Sequence, residues 1–194
     1  MNPLYEKLYE LQSAYNAHTN ITRITAKEDF YLKHIEDSLA LLPFVDAPFA
    51  LLDIGTGAGY PGIPLAIERP DLQVTLNDAT LKKVKYLQSV IAELPLPNAR
   101  AVWDRAEKLG EQKEYRGQYD LVTARAVAEI KELVQLAAPF LRRGGVAVFM
   151  KAKNAEAEAS AAALTARKNG LTLTEIRKYK LADLDRALVV YIKK

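Results

Sequence analysis

Hydrophobic positions along the chain follow two different periods. Leu4, Leu8, Leu11 and Tyr15 recur at helical spacing behind Asn2 and Pro3, which predicts a helix running to about Asn16. Thr25-Ala26-Lys27-Glu28 has the pattern of a capping box and predicts a second helix. That helix carries Tyr31, Ile35, Leu39 and Leu42 on one face and ends before Pro43. From Phe49 onward short apolar runs alternate with helical stretches. Phe49 to Ile54, Leu72 to Asp78, Ala99 to Trp103, Tyr119 to Thr123 and Val146 to Met150 predict strands. Between them, Thr80 caps a helix with Val84, Leu87, Ile91 and Leu94 inside. Val127, Ile130, Val134 and Ala137 give another that stops near Pro139, and Gly144-Gly145 turns the chain into the fifth strand. An alanine-rich helix runs from Asn154 to Gly170. Leu171 to Tyr179 and Ala187 to Ile192, joined by an acidic turn, predict a terminal hairpin. This is an α/β pattern, a mostly parallel sheet wrapped on both faces. It implies one domain, with residues 1–48 as a helical extension covering one edge of the core and 49–194 as the Rossmann-like core.

The most informative polar pattern lies where the first strand meets its helix. Asp53 sits in an apolar run, Gly55, Gly57 and Gly59 follow at alternate positions, and Tyr60 and Pro61 lead into the helix. Glycines there permit positive φ and let a ligand lie on the backbone, while the first helical amides offer donors to an anion. A Walker loop needs a lysine that is absent here. The dinucleotide fingerprint G-x-G-x-x-G needs glycine where this chain has Tyr60. What remains is acid-x-G-x-G-x-G, similar to the first motif of Rossmann-like S-adenosylmethionine-dependent methyltransferases. Asp78, at the end of the second strand, is placed to accept from the ribose hydroxyls of a bound adenosine. Its alternative reading is a turn-forming aspartate.

Composition narrows the class further. The 194 residues are 49% hydrophobic and 26% charged, enough for one sizeable core. Without cysteine there are no disulfides, and with two histidines and no thiol a structural zinc site is not expected. No signal-like or membrane-spanning run occurs, so a cytoplasmic, membrane-free protein is the expectation. The net charge of +3 permits a polyanionic partner. Residues 1–48 hold four Lys/Arg against seven Asp/Glu, so the basic surface belongs to the core. Lys82, Lys83 and Lys85, then Arg125, then Lys151 and Lys153 all follow strands, near the sheet edge that binds ligands in open α/β folds. Any single lysine there also fits a solvated surface.

Longer stretches make the chain recognisable as a whole. Asn20-Ile21-Thr22, His34-Ile35-Glu36-Asp37-Ser38-Leu39, D-I-G-T-G-A-G-Y-P-G-I-P-L-A, Arg105-Ala106-Glu107 and Thr123-Ala124-Arg125-Ala126 resemble the bacterial 16S rRNA guanine-N7 methyltransferase family, also called glucose-inhibited division protein B. That resemblance implies a class I methyltransferase fold with a seven-stranded sheet ordered 3-2-1-4-5-7-6. It further implies S-adenosyl-L-methionine as cofactor and 16S rRNA or the small ribosomal subunit as partner. On the same basis Gly55 and Tyr60 contact the methionine portion and face of the cofactor, Ala106 and Glu107 hold its adenine, and Arg125 lies beside cofactor and guanine. Lys151 and His34 join Arg125 as substrate-proximal candidates, and the stretch His34 to Ser38 is a candidate to shape the site. The family's usual Ser-Leu-Gly after the second-strand acid is Ala79-Thr80-Leu81 here, and a glycine after the fifth-strand lysine is Ala152.

The chemistry fits what is absent. Carbon-5 methylation of a pyrimidine needs a cysteine nucleophile, and methylation of an exocyclic amine usually brings an [N/D]-P-P-[Y/F] clamp where this chain has T-A-R-A. Guanine N7 has a free in-plane lone pair, so no residue is assigned as general base. The alternatives are methylation of a small molecule or protein, an NAD-dependent oxidoreductase, and a cofactor-binding RNA module without catalysis. A monomer is the expected state.

Overall fold

The computed structural model describes residues 2–45 and 49–194. Its strands are β1 (Ala50–Ile54), β2 (Gln73–Asp78), β3 (Ala99–Trp103), β4 (Tyr119–Arg125), β5 (Leu141–Lys151), β6 (Leu171–Leu181) and β7 (Leu184–Lys193). They form one sheet in the order β3-β2-β1-β4-β5-β7-β6. The first five are parallel, and β7 is antiparallel to both β5 and β6. Helices α4 (Gly62–Glu68), α5 (Leu81–Glu93), α6 (Ala106–Leu109), α7 (Ile130–Ala137) and α8 (Ala155–Lys168) cover the faces.

Burial on both faces explains why the central strands read as near-continuous apolar runs. Along β1, Leu51 enters the hydrophobic cluster on the α4 and α5 side, while Leu52 and Ile54 enter the one beneath α7 and α8. Val148 and Met150 against Ala147 and Phe149 divide β5 in the same way. Every parallel strand therefore ends at one edge, and the βα loops gather there.

The N-terminal segment consists of α1 (Leu4–Asn16), α2 (Lys27–Phe30), a π-helical segment Tyr31–Glu36 and α3 (Asp37–Leu39). Tyr5, Leu8, Ile21, Phe30, Ile35 and Leu41 share one cluster with Ile63, Leu65 and Leu87, so this segment is built into the core. The expected boundary between 48 and 49 adjoins residues 46–48, which lie outside the described residues.

Local structure departs from the sequence pattern in a few places. The Thr25 capping box does not form, since Ala26 occupies the N-cap position without a side-chain bond. Thr80 and Asn154 take N-cap positions, yet neither side chain caps. Pro43 lies inside a 3₁₀ turn, Leu42–Phe44. Val127 is exposed in the loop before α7, which begins at Ile130. Strand β4 continues through Arg125, and β5 begins at Leu141, running through Gly144-Gly145 past a shift in register opposite Tyr119 and Leu121. An apolar pattern marks burial, whereas these two central strands keep their ladder through polar positions.

Candidate functional site

The glycine loop joins β1 to α4 and is held from beneath by an acid. Asp53 is fully buried, and its Oδ2 accepts from Thr56 Oγ1 (2.6 Å) and the Gly62 amide (2.9 Å). The first amide of α4 is thus taken by the chain's own carboxylate and does not stand open to an anion, and Asp53 braces the loop from beneath. Burial pushes the Asp53 carboxyl up to about 7, against the hydrogen bonds from Thr56 and Gly62 and the charge of Arg125. Its Oδ1 has no partner.

The three glycines differ in what their missing side chains allow. All have positive φ. A Cβ on Gly55 would meet Val127 at 2.7 Å, and one on Gly59 would meet Ile63 at 2.6 Å, so both are closed by packing. On Gly57 the nearest atom would be the Gly55 carbonyl oxygen at 3.9 Å, so this position alone of the three faces open space. Gly62 allows the close approach of α4 to β2, because a Cβ there would collide with Leu76.

Asp78 ends β2 and is nearly buried. Its Oδ2 accepts from the Gly57 amide (3.0 Å), its Oδ1 from the Thr80 amide (2.8 Å), and Lys83 Nζ lies 3.7 Å away. The carboxylate therefore ties the glycine loop to the loop after β2. Across the ladder its partner is Trp103, whose indole N–H donates to the Ala79 carbonyl (3.1 Å) and whose ring is 57% exposed. Asn77 donates to the Val102 and Asp104 carbonyls and fixes the turn that carries Ala106 and Glu107 at the start of α6. These residues, spread over fifty positions in sequence, meet at one end of the sheet.

Arg125, at the end of β4, faces the N-terminal segment. Its guanidinium donates to the Lys33 carbonyl (2.6 Å), Asp37 Oδ2 (3.1 Å) and His34 Nδ1 (2.9 Å), and lies 5.6 Å from the Tyr60 ring centroid. A guanidinium has no lone pair to give, so Nδ1 is the acceptor and the proton of neutral His34 sits on Nε2, donating to Thr22 Oγ1 (3.2 Å). Burial, reinforced by the Arg125 charge, holds His34 down at about 3. His34 is thus a neutral spacer across the physiological range, not an acid or base.

Tyr60 completes this side of the site. Its ring stacks on His34 with centroids 3.9 Å apart and an interplanar angle of 5°, and its hydroxyl donates to Gln12 Oε1 (2.8 Å). Only 3% of the residue is exposed, with the ring packed between His34 and Phe30. Phe30 meets both rings edge-on.

A cavity of about 500 Å³ opens beside Arg125, lined among others by Lys33, His34, Asp37, Lys151, Lys153 and Arg186. Lys151 is committed rather than free: its ammonium pairs with Glu158 (2.7 Å) and donates to the Ala128 carbonyl (3.0 Å). Glu158 also accepts from the Ile130 amide at the start of α7 (3.1 Å). A second cavity of about 590 Å³ adjoins the first through Ala152, Lys153 and Arg186 and runs between α8 and the terminal hairpin. Lys82 and Lys85 lie exposed on α5.

Sequence reasoning missed Thr22 as the partner of His34, Gln12 as that of Tyr60, and Tyr179, Arg186 and Glu158 altogether. Nothing local marks them, because each is a polar residue brought to the site by a distant element. Among the described residues no group of three or more His, Cys, Asp or Glu is arranged to hold a metal, and no helix is long and apolar enough to cross a membrane.

A family model described as GidB, rRNA small subunit methyltransferase G, matches residues 1–189. "Ribosomal RNA small subunit methyltransferase G" of Carboxydothermus hydrogenoformans is 38% identical over 98% of this chain and 82% of that protein. The protein of the same name from Desulforamulus reducens is 41% identical over 98% of this chain and 80% of its own length. Among solved structures, the YcgJ protein of Bacillus subtilis superposes with a TM-score of 0.65 at 17% identity, over 82% of this chain and 99% of that one. A variant of a 16S rRNA adenine-N1 methyltransferase from Catenulisporales acidiphilia, crystallised with its cosubstrate SAM, gives 0.61 at 14% identity, over 77% and 86%. At such identities the likeness concerns the fold.

Proposed function

The chain belongs to the GidB family of rRNA small subunit methyltransferases, and from that premise we propose that it methylates N7 of one guanine in 16S rRNA, with S-adenosyl-L-methionine as methyl donor. The observation that carries the cofactor assignment is Gly57, whose missing side chain leaves open space directly above a loop clamped by Asp53 and Asp78. In this reading the backbone from Gly55 to Gly57 cradles the cofactor, Asp78 exchanges its bond to the Gly57 amide for the ribose hydroxyls, and Ala106 and Glu107 border the adenine. Bound S-adenosylmethionine supplies an electrophilic methyl group on a sulfonium.

The residues of the cavity suit a reaction in which no proton is removed. His34 is neutral and donates its only N–H to Thr22, while Asp37 and Glu158 are held by Arg125 and Lys151. No group there is free to serve as base. Guanine N7 requires none, since its lone pair lies in the ring plane and is already available. Arg125 is left to orient the base: a planar guanidinium can stack on guanine or donate to its O6, leaving the N7 lone pair free. The catalytic contribution is alignment in a partly dry site. With cofactor saturating, kcat is therefore expected to stay flat from about pH 8 to 9, above the range in which Asp53 titrates. A bell-shaped profile centred in that window would point to an acid/base pair.

The RNA strand is assigned to the two neighbouring cavities; in the second of them Lys153, Lys178 and Arg186 outnumber the acids Glu156 and Asp185. The ion pairs Lys178–Glu156 and Lys180–Asp185 are exposed, so each lysine can turn to phosphate at small cost. The chain is taken to act as a monomer in the cytoplasm. The test is transfer of labelled methyl from S-adenosylmethionine to purified small subunits from cells lacking this gene, followed by digestion to nucleosides. Label in 7-methylguanosine supports the reading, and label in any other nucleoside refutes it.

A further inference from the structure

Asp37 is 4% exposed and takes no part in the methyl transfer described above, yet its carboxylate holds three partners. Its Oδ2 accepts from Arg125 Nη1 (3.1 Å). Its Oδ1 accepts from the Tyr179 hydroxyl (2.7 Å) and lies 3.5 Å from Arg186 Nε. One side chain thus joins the N-terminal segment, the end of β4 and both strands of the terminal hairpin. Both arginines line the cavity beside Arg125, and both take their position from the same carboxyl group.

Helical spacing explains how Asp37 arrives there. Along the run through Tyr31–Glu36 and Asp37–Leu39, His34, Asp37 and Ser38 stand at i, i+3 and i+4 and are buried together, as is Ile35. The Lys33 carbonyl, His34 Nδ1 and Asp37 Oδ2 then form three acceptors for a single guanidinium. Two of the three are neutral, so Asp37 supplies the only formal negative charge among the acceptors of Arg125. Tyr179 and Arg186 approach the opposite oxygen and prevent the carboxyl from rotating.

We propose that Asp37 is the positioning residue of the methyl transfer, fixing Arg125 at the angle that aligns the substrate base, with Tyr179 and Arg186 locking the carboxylate. The inference rests on the reading of Arg125 as the base-orienting group. It assigns Asp37 an effect on turnover that passes through Arg125 and leaves cofactor affinity alone.

The experiment is a double-mutant cycle on the full chain, with methylation of small subunits measured at saturating cofactor. Asp37→Asn keeps the shape of the side chain and removes its charge, so it guards against loss of the fold that Asp37→Ala could bring. Asp37→Asn is expected to lower kcat roughly 10- to 100-fold, with KM for subunits changed less than about threefold. S-adenosylmethionine affinity, from calorimetry, should match the wild type. Arg125→Ala should lower kcat at least as far, and the double variant should be no slower than Arg125→Ala alone. Losses that multiply in the double variant, or a kcat for Asp37→Asn equal to wild type, overturn the proposal while leaving the methyltransferase reading intact. A wild-type chain that transfers no methyl to small subunits overturns both.

Discussion

At the scale of single residues, the three glycines of one motif divide into two kinds. Gly55 and Gly59 lack side chains because Val127, Ile63 and Leu87 occupy the space, while Gly57 lacks one with nothing of the protein above it. Sequence spacing alone made all three equal candidates for the cofactor. Asp53 and Tyr60 were legible as part of the motif, but not their contacts: Thr56 and Gly62 of the same motif bond Asp53, while Gln12 and His34 reach Tyr60 from the N-terminal segment. The difference is testable. Gly57→Val should fold, at a backbone cost of about 1–2 kcal/mol for positive φ. Its affinity for S-adenosylmethionine should fall more than about tenfold, for want of the close backbone approach. Gly59→Val, driven into Ile63, should lose the fold. Calorimetry on Gly57→Val decides the matter, with Trp103, the single tryptophan, reporting binding through its fluorescence from across the ladder. Unchanged affinity in a folded Gly57→Val would remove the cofactor from this loop.

At the scale of elements, the N-terminal segment shows where periodicity misleads. Its apolar residues predicted a regular helix with Tyr31, Ile35 and Leu39 in line, and the stretch from His34 to Ser38 was flagged only as a block. His34, Asp37 and Ser38 stand at i, i+3 and i+4 and share one buried face, which a search for apolar residues overlooks because all three are polar. Docking of this stretch depends on a neutral imidazole, and that gives stability a pH signature. His34 titrates at about 3 in the folded chain against its ordinary 6.5. The unfolded chain therefore binds the extra proton between those values, and the stability His34 contributes is lost as pH falls from 6.5 toward 3. Asp53 acts in the opposite sense. Raised from 3.8 to about 7, it holds its proton longer in the folded chain, and its contribution fades as pH rises through that range. Urea unfolding at several pH values between 4 and 7 separates the two. His34→Phe, which keeps the stacking, should lose less stability on acidification than wild type, and Asp53→Asn should gain more as pH rises. Slopes identical in all three proteins would mean that neither group titrates as described.

At the scale of the whole molecule, the alternation of strand and helix together with the family resemblance was enough to place all seven strands in order. It was legible because each βα unit buries its own apolar face and returns every loop to one edge. The two neighbouring cavities were not legible, since their shared walls bring Ala152 and Lys153 after β5 together with Arg186 of the terminal hairpin. What the assembled molecule presents is a clamped glycine loop, an arginine held at the neighbouring strand end, and two cavities that share Ala152, Lys153 and Arg186, one of them beside that arginine. No free base stands in the cavity. That combination is the basis for assigning N7 of guanine, an atom that can be methylated without losing a proton.

N7-methylation leaves a cationic base whose imidazole ring opens readily, and this makes the site chemically visible in cellular RNA. The most direct measurement is borohydride reduction and aniline cleavage of 16S rRNA from cells with and without the gene for this chain. A single scission at one guanine, present only with the gene and restored when the gene is returned, is the result expected. Identical cleavage in both RNAs, with methyl label from the purified enzyme entering a different base, would contradict it.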